Sequence, residues 1–360
     1  MLINSSRQVH PKMMKSWTPT DGDAFLTRDN LVFYTFGYEH PPGRILAFLK
    51  YIPSHHSSLF PIEYLPTRWK LGSTELARPR ELYSVNNLQK ITEALRRSFP
   101  DYLYHCPYRN KEVTCPTRGV AKRVYVPSQR LRALLKEKNR NHLQNLTSEL
   151  VNLLSSTSGV PLEDLGVHGS IALGMETDQS DIDLVAYGAQ NFRKLEAAVN
   201  TLAEEGALNY VFNNKLDAAR KQRGRFKGKA FVYTAVRKKE EIYTKYGDRK
   251  YSATAPVRFR CTVVDDQEAM FRPATYKINN YQPLDPTSQL ESNRTPSAVV
   301  SMIGMHRNVA RKGDCIEVSG VLERVEHLQT GRISFQAVVG SGTSEEEYIW
   351  PVSSSETETQ

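Results

Sequence analysis

The sequence predicts an α+β fold in three parts: an N-terminal α+β domain (residues 1–127), a central core of mixed sheet and helices (128–292), and a small β-barrel-like domain (293–352), followed by a disordered tail at 353–360. Three observations lead there. Strand-like apolar runs share the first part with one amphipathic helix. Helical and strand-like segments alternate through the middle. After Thr295, short β-branched runs follow one another between glycine-containing turns, as in a sheet that closes on itself.

Residues 31–36 and 45–51 read as strands, with His40-Pro-Pro42 as the turn between them and His40 as a turn or packing residue. Leu88, Ile91 and Leu95 stand at i, i+3 and i+7 and predict a helix over 86–98. A basic helix over 128–154 follows, with leucines at 131, 134, 135, 143, 146, 150, 153 and 154 as its apolar stripe. Ser155-Ser-Thr-Ser-Gly-Val-Pro161 ends it. A strand at 165–168, a helix starting near Gly169, a strand through 181–185, a helix over 191–205, an irregular basic stretch and strands at 230–236 and 256–264 complete the core. Strands at 298–303, 315–322, 333–339 and 347–350 make up the last domain.

The chemistry concentrates between Val167 and Val185. A strand sends alternate side chains to opposite faces, so Asp181 and Asp183 share one face and Ile182 and Leu184 take the other. Two carboxylates side by side repel unless a cation joins them, whereas Mg²⁺ prefers a few carboxylate oxygens plus substrate phosphates. Gly169-Ser170, ten residues earlier, sits where a short strand turns into a helix. Backbone N–H groups of such a turn are free for phosphate oxygens, and the Ser170 hydroxyl adds a donor.

This pattern, Gly-Ser followed after ten residues by Asp-Ile-Asp, resembles the signature of the DNA polymerase beta-type nucleotidyltransferases, and Gly174 and Ser180 fit its looser positions. The whole chain is also similar to a mostly archaeal group of predicted nucleotidyltransferases, through Tyr38-Glu-His-Pro-Pro42, Lys245-Tyr-Gly-Asp248 and Val264-Asp-Asp-Gln-Glu-Ala-Met-Phe271. The resemblance implies a polymerase beta-like core and an NTP substrate. It also implies two Mg²⁺ ions held by Asp181, Asp183 and a third carboxylate from a neighbouring strand. Asp265, at the end of the strand over 256–264, is the candidate for that third acid, with Glu240 and Glu241 as competitors.

The chain carries a net charge of +9, and the stretch from Arg220 to Lys250 alone holds twelve Lys/Arg against three Asp/Glu. Within it, Arg220-Lys-Gln-Arg-Gly-Arg-Phe-Lys-Gly-Lys229 reads as a loop gripping triphosphate or RNA backbone, through Arg223, Arg225 and Lys227. The expected activity is Mg²⁺-dependent transfer of a nucleoside monophosphate from an NTP to a hydroxyl, most plausibly an RNA end or tRNA, with a protein hydroxyl as the rival acceptor. The alternative is an inactive nucleotidyltransferase fold serving as an RNA-binding or scaffold module. With no apolar segment of membrane-spanning length and four scattered cysteines, the reading is of a cytoplasmic protein without disulfides or a membrane partner.

Overall fold

Alternating apolar positions build the first sheet in the computed structural model, which describes residues 17–82 and 84–352 of an α+β chain; the tail expected at 353–360 lies outside those residues. The strands are β1 (Ala24–Thr27), β2 (Val32–Thr35), β3 (Ala47–Pro53), β4 (Trp69–Leu71), β5 (Thr74–Ala77), β6 (Leu103–Cys106), β7 (Lys111–Thr114) and β8 (Ala121–Tyr125). Six of them join in the order β4-β5-β3-β2-β1-β8, and β6 and β7 form a separate hairpin. One face carries Phe25, Phe33 and Leu49 onto α1 (Val85–Ser98). The stripe of α1 runs through Asn87, Ile91, Ala94 and Leu95, and Leu88 is 45% exposed. Asn87 takes the inward position because its amide donates to the Glu81 carbonyl at 2.8 Å beside the Ser84 N-cap.

The other face of this sheet, bearing Val32, Tyr34, Tyr51 and Tyr125, packs on Leu173 and Met175 of the core. A β-bulge shapes it: Phe33 pairs with Leu49 but Val32 pairs with Tyr51, leaving Lys50 as the extra residue on β3. Bulges re-aim side chains, and this one places a cation among aromatics, with Lys50 Nζ 4.1 Å from the Tyr34 ring centroid.

Asp23 is buried at the start of this sheet, accepting from Trp17 Nε1 at 2.8 Å, with its Oδ1 left without a partner. Burial pushes its carboxyl from 3.8 up to about 7. Between those values the folded protein holds a proton that the unfolded chain releases, so stability is lost as pH rises through that window. Asp23→Asn is therefore expected to stabilise the fold by roughly 2–4 kcal/mol at pH 8 and by little at pH 4. Urea melts at the two pH values check this, and an equal effect at both would refute it.

The core begins with two helices, α2 (Pro127–Lys136) and α3 (His142–Ser158), where the leucine pattern predicts one. The break comes at Asn141, which forms a capping box with Gln144. Then come β9 (Leu165–Val167), α4 (Gly169–Leu173), β10 (Ile182–Tyr187), α5 (Ala189–Glu204), β11 (Asn209–Tyr210), α6 (Lys215–Arg220), β12 (Arg223–Phe226) and β13 (Lys229–Val236). The sheet order is β11-β12-β13-β10-β9, with β10 and β13 parallel across the α5 crossover. Phe192, Leu195, Val199 and Leu202 of α5 and Leu146, Leu150 and Leu154 of α3 fill the core beneath it. The expected basic loop is instead a hairpin: Phe226 pairs with Lys229, and Lys227 and Gly228 turn it at φ 47 and 78, the two-residue turn that matches strand twist.

The last sheet contains β14 (Arg249–Glu268), β15 (Ala274–Pro283), β16 (Ala298–Ser301), β17 (Cys315–His327), β18 (Ile333–Val339) and β19 (Tyr348–Val352) in the order β14-β15-β16-β18-β17-β19. The additional β14–β17 pairing closes the ring. The boundary expected at 292/293 therefore moves to the start of β14, because this 20-residue strand pairs with β15 on one side and β17 on the other. Buried Asp21 ties the N-terminal sheet to this one, with Arg272 Nη1 at 3.4 Å and Arg307 Nη2 at 3.8 Å. Among the described residues, no helix is long and apolar enough to cross a membrane.

Candidate functional site

β9 and β10 pair antiparallel, and the His168 backbone N–H donates to the Asp183 carbonyl at 2.8 Å. This brings Gly169, at φ 61, against the Asp183 side chain: a Cβ on Gly169 would lie 1.9 Å from Asp183 Oδ2. Only glycine satisfies both the left-handed backbone and the close approach. The Gly-Ser turn and the carboxylate are thus in contact, with Ser170 buried at the head of α4. Ile182 and Leu184 are buried on the far face, and Asp181 and Asp183 keep partial solvent access. Asp183 lies deep yet partly open, where the core meets the N-terminal sheet. Burial raises its carboxyl above the ordinary range, Asp181 adds to the rise, and Lys50, Arg78 and Arg223 oppose it.

Lys50 and Arg78 come from the N-terminal sheet and the residue just after β5, more than a hundred positions before the carboxylates. The signal for Lys50 was a lone cation in the apolar run 45–51. Burial pushes its ammonium down to about 7, with Arg78 adding to the fall and Asp183 opposing it. Arg223 stands on β12 opposite Val232, which is itself the register partner of Asp183. Arg223 and Arg225 therefore share the carboxylate face, two strands from β10.

Asp265 is not part of this site. It sits on β14 in the closed sheet, where Lys277 Nζ at 2.7 Å and the Gln267 N–H hold its carboxyl below the ordinary range. Glu241 accepts from the Ala189 N–H at 2.9 Å at the start of α5, and Glu240 is exposed. Among the described residues no three His, Cys, Asp or Glu side chains are grouped to hold a metal. On the adjacent strand β13 the register partner of Asp183 is Val232, and Arg223 on β12 is in turn the partner of Val232. Mg²⁺ accepts two carboxylates when substrate phosphates complete its shell, so Asp181 and Asp183 could hold one ion.

The other basic residues divide. Lys227 pairs with Glu149 at 2.5 Å on the surface, and Arg225 is exposed with its Nη1 donating to the Gly228 carbonyl at 3.0 Å. Arg220, Arg237 and Lys238 are paired with Asp217, Glu268 and Asp164. Four of the segment's twelve cations are thus paired with acids that lie outside it. On the closed sheet a cavity lined by Arg260, Glu317, Tyr348 and Trp350 lies away from the carboxylates. Its charges are paired internally, with Arg258 and Arg260 both on Glu317.

An uncharacterized protein of Methanocaldococcus jannaschii is 26% identical over an alignment that covers 84% of this chain and 90% of that one. No family model matches the chain. No solved structure matches it significantly.

Proposed function

We propose that this protein is a nucleotidyltransferase of the DNA polymerase beta type, moving a nucleoside monophosphate from an NTP to a hydroxyl acceptor. The observation that carries the reading is the packing of Gly169 against the Asp183 carboxylate, which joins a phosphate turn to a paired-acid strand in one cleft. Asp181 and Asp183 would hold one Mg²⁺, which supplies charge neutralisation at the triphosphate and lowers the barrier to attack on the α-phosphorus. Gly169 and Ser170 receive phosphate oxygens through backbone N–H and hydroxyl. The acceptor oxygen bonds to the α-phosphorus as the bond to the bridging oxygen breaks. Pyrophosphate leaves, and the hydroxyl proton passes to water at the open side of the cleft. Catalysis rests on positioning and charge stabilisation.

An RNA end or tRNA remains the favoured acceptor on net charge, with a protein hydroxyl as rival. One observation favours a second reading, of a metal-nucleotide-binding protein without transfer: the positions in register with Asp183 on β13 and β12 are Val232 and Arg223, neither of them an acid. Incubation with each α-labelled NTP, Mg²⁺ and either total RNA or cell protein separates these readings. Label on one of the two pools, lost in Asp181→Asn, supports transfer. Mg²⁺-dependent NTP binding without label on either pool favours the second reading, and the absence of both defeats the proposal. If RNA is the acceptor, its binding should weaken steeply between low and moderate salt.

A further inference from the structure

We propose that the N-terminal sheet is the second wall of the nucleotide site, with Lys50 and Arg78 gripping the triphosphate chain across the cleft from Asp181, Asp183 and Arg223. This rests on the nucleotidyltransferase reading and assigns the first domain a part in it.

Two independent observations carry the inference. First, the backbone is built to deliver Lys50: the bulge between β2 and β3 makes it the extra residue, so that Lys50 and Tyr51 both leave the α1 side of the sheet. Regular alternation would turn one of two consecutive residues back onto that core. Second, the cations around the cleft lack acidic partners. Among the described residues, neither Lys50 nor Arg78 or Arg223 has a carboxylate within 4.0 Å in an ion pair. The Nε–H of Arg78 and of Arg223 is buried without an acceptor. Like charges are gathered instead, with Arg78 beside Lys50. Buried donors are nearly always paired, and unpaired buried cations are costly to hold together. An anion that enters this cleft removes both costs.

The charge count identifies its class. Lys50, Arg78 and Arg223 lie around Asp183, and a phosphate beside Lys50 favours its charged form. With one Mg²⁺ bound, the three cations and the metal then outweigh the two carboxylates, which suits a polyanionic phosphate chain. Arg78 supplies a forked guanidinium suited to phosphate oxygens, and Lys50 a point charge. Tyr34 and Tyr51 are buried beneath them and leave no open ring for a base to stack on. The recognised group is the phosphate chain.

The test is calorimetric titration of the full chain with each Mg–NTP, with inorganic tripolyphosphate without metal, and with AMP. Lys50→Met and Arg78→Lys are compared with Asp183→Asn, and melting temperatures are recorded for each. Lys50→Met removes a charge from a half-buried position among aromatic rings and is expected to melt no lower than wild type. Both cation variants should weaken Mg–NTP and tripolyphosphate binding, about tenfold or more for Lys50→Met and at least threefold for Arg78→Lys, and leave any AMP binding unchanged. Unchanged Mg–NTP affinity in the two cation variants, alongside its loss in Asp183→Asn, would overturn the clamp and leave the nucleotidyltransferase reading standing. Tripolyphosphate binding that needs Lys50 while no NTP binds in a metal-dependent way would support the phosphate clamp and remove the nucleotide reading. Wild-type protein that binds neither NTP nor tripolyphosphate overturns both.

Discussion

Asp183→Asn is expected to remove Mg²⁺-dependent NTP binding and to lower any transfer activity by on the order of 10²–10³-fold, while leaving the fold at least as stable as wild type at neutral pH. The functional loss follows from the donor set. With two carboxylates and no third among the described residues, each one supplies half of the protein's share of the metal shell. An amide oxygen is a poor substitute for a carboxylate on a hard cation. The stability gain follows from burial, which holds the Asp183 carboxyl above the ordinary range. The folded protein therefore disfavours the ionised form, and its stability falls as pH rises from the ordinary carboxylate range through the raised value. The amide escapes that cost, so the advantage of the variant should grow with pH over that interval. A group whose removal stabilises the protein and abolishes its activity is one retained for function. Parallel urea melts and nucleotide titrations at two pH values check both halves. A variant less stable than wild type at neutral pH, or one that still binds Mg–NTP normally, contradicts the assignment.

Gly169→Ala should damage both the fold and the site. The left-handed φ of 61 alone disfavours any side chain, and the new Cβ would overlap Asp183 Oδ2 at 1.9 Å. Relief requires either the carboxylate to swing away or the β9–α4 turn to shift, and that turn is clamped by the His168 N–H to Asp183 carbonyl bond. The expected cost is roughly 2–4 kcal/mol of stability, with metal-nucleotide binding lost even in the fraction that folds. A double variant, Gly169→Ala with Asp183→Gly, recovers much of the stability but none of the binding, since the overlap is gone and the ligand with it. Melting curves of the single and double variants measure this, and additive stability costs would show that the two positions do not touch.

Both predictions concern residues read from adjacent lines of sequence, and that locality explains what was legible. Asp181 and Asp183 alternate within one strand and Gly169-Ser170 opens the next helix, so period and turn chemistry suffice to find them. His40 was legible in the same way: it sits in the turn between β2 and β3, its Nδ1 accepting from the Leu46 N–H at 3.1 Å. The break at Asn141 falls in the leucine-free stretch between Leu135 and Leu143, where Asn141 starts its capping box with Gln144. The basic stretch misled because charge alone does not reveal partners; Lys227 and Lys238 find theirs 78 and 74 residues away. Asp265 misled for the same reason, since nothing local says that β14 belongs to the closed sheet rather than to the core.

By itself the sequence determined the α+β class, the alternating core and a strand that puts two carboxylates on one face. Each of these follows from short-range periodicity and backbone preference. Tertiary structure alone decided that no third acid joins them among the described residues, that Arg223 shares the carboxylate face from two strands away, and that Lys50 and Arg78 approach Asp183 from the first domain. Those outcomes depend on strand order, a one-residue bulge and the packing of one sheet on another, and no periodicity within a segment encodes which distant segment it will meet.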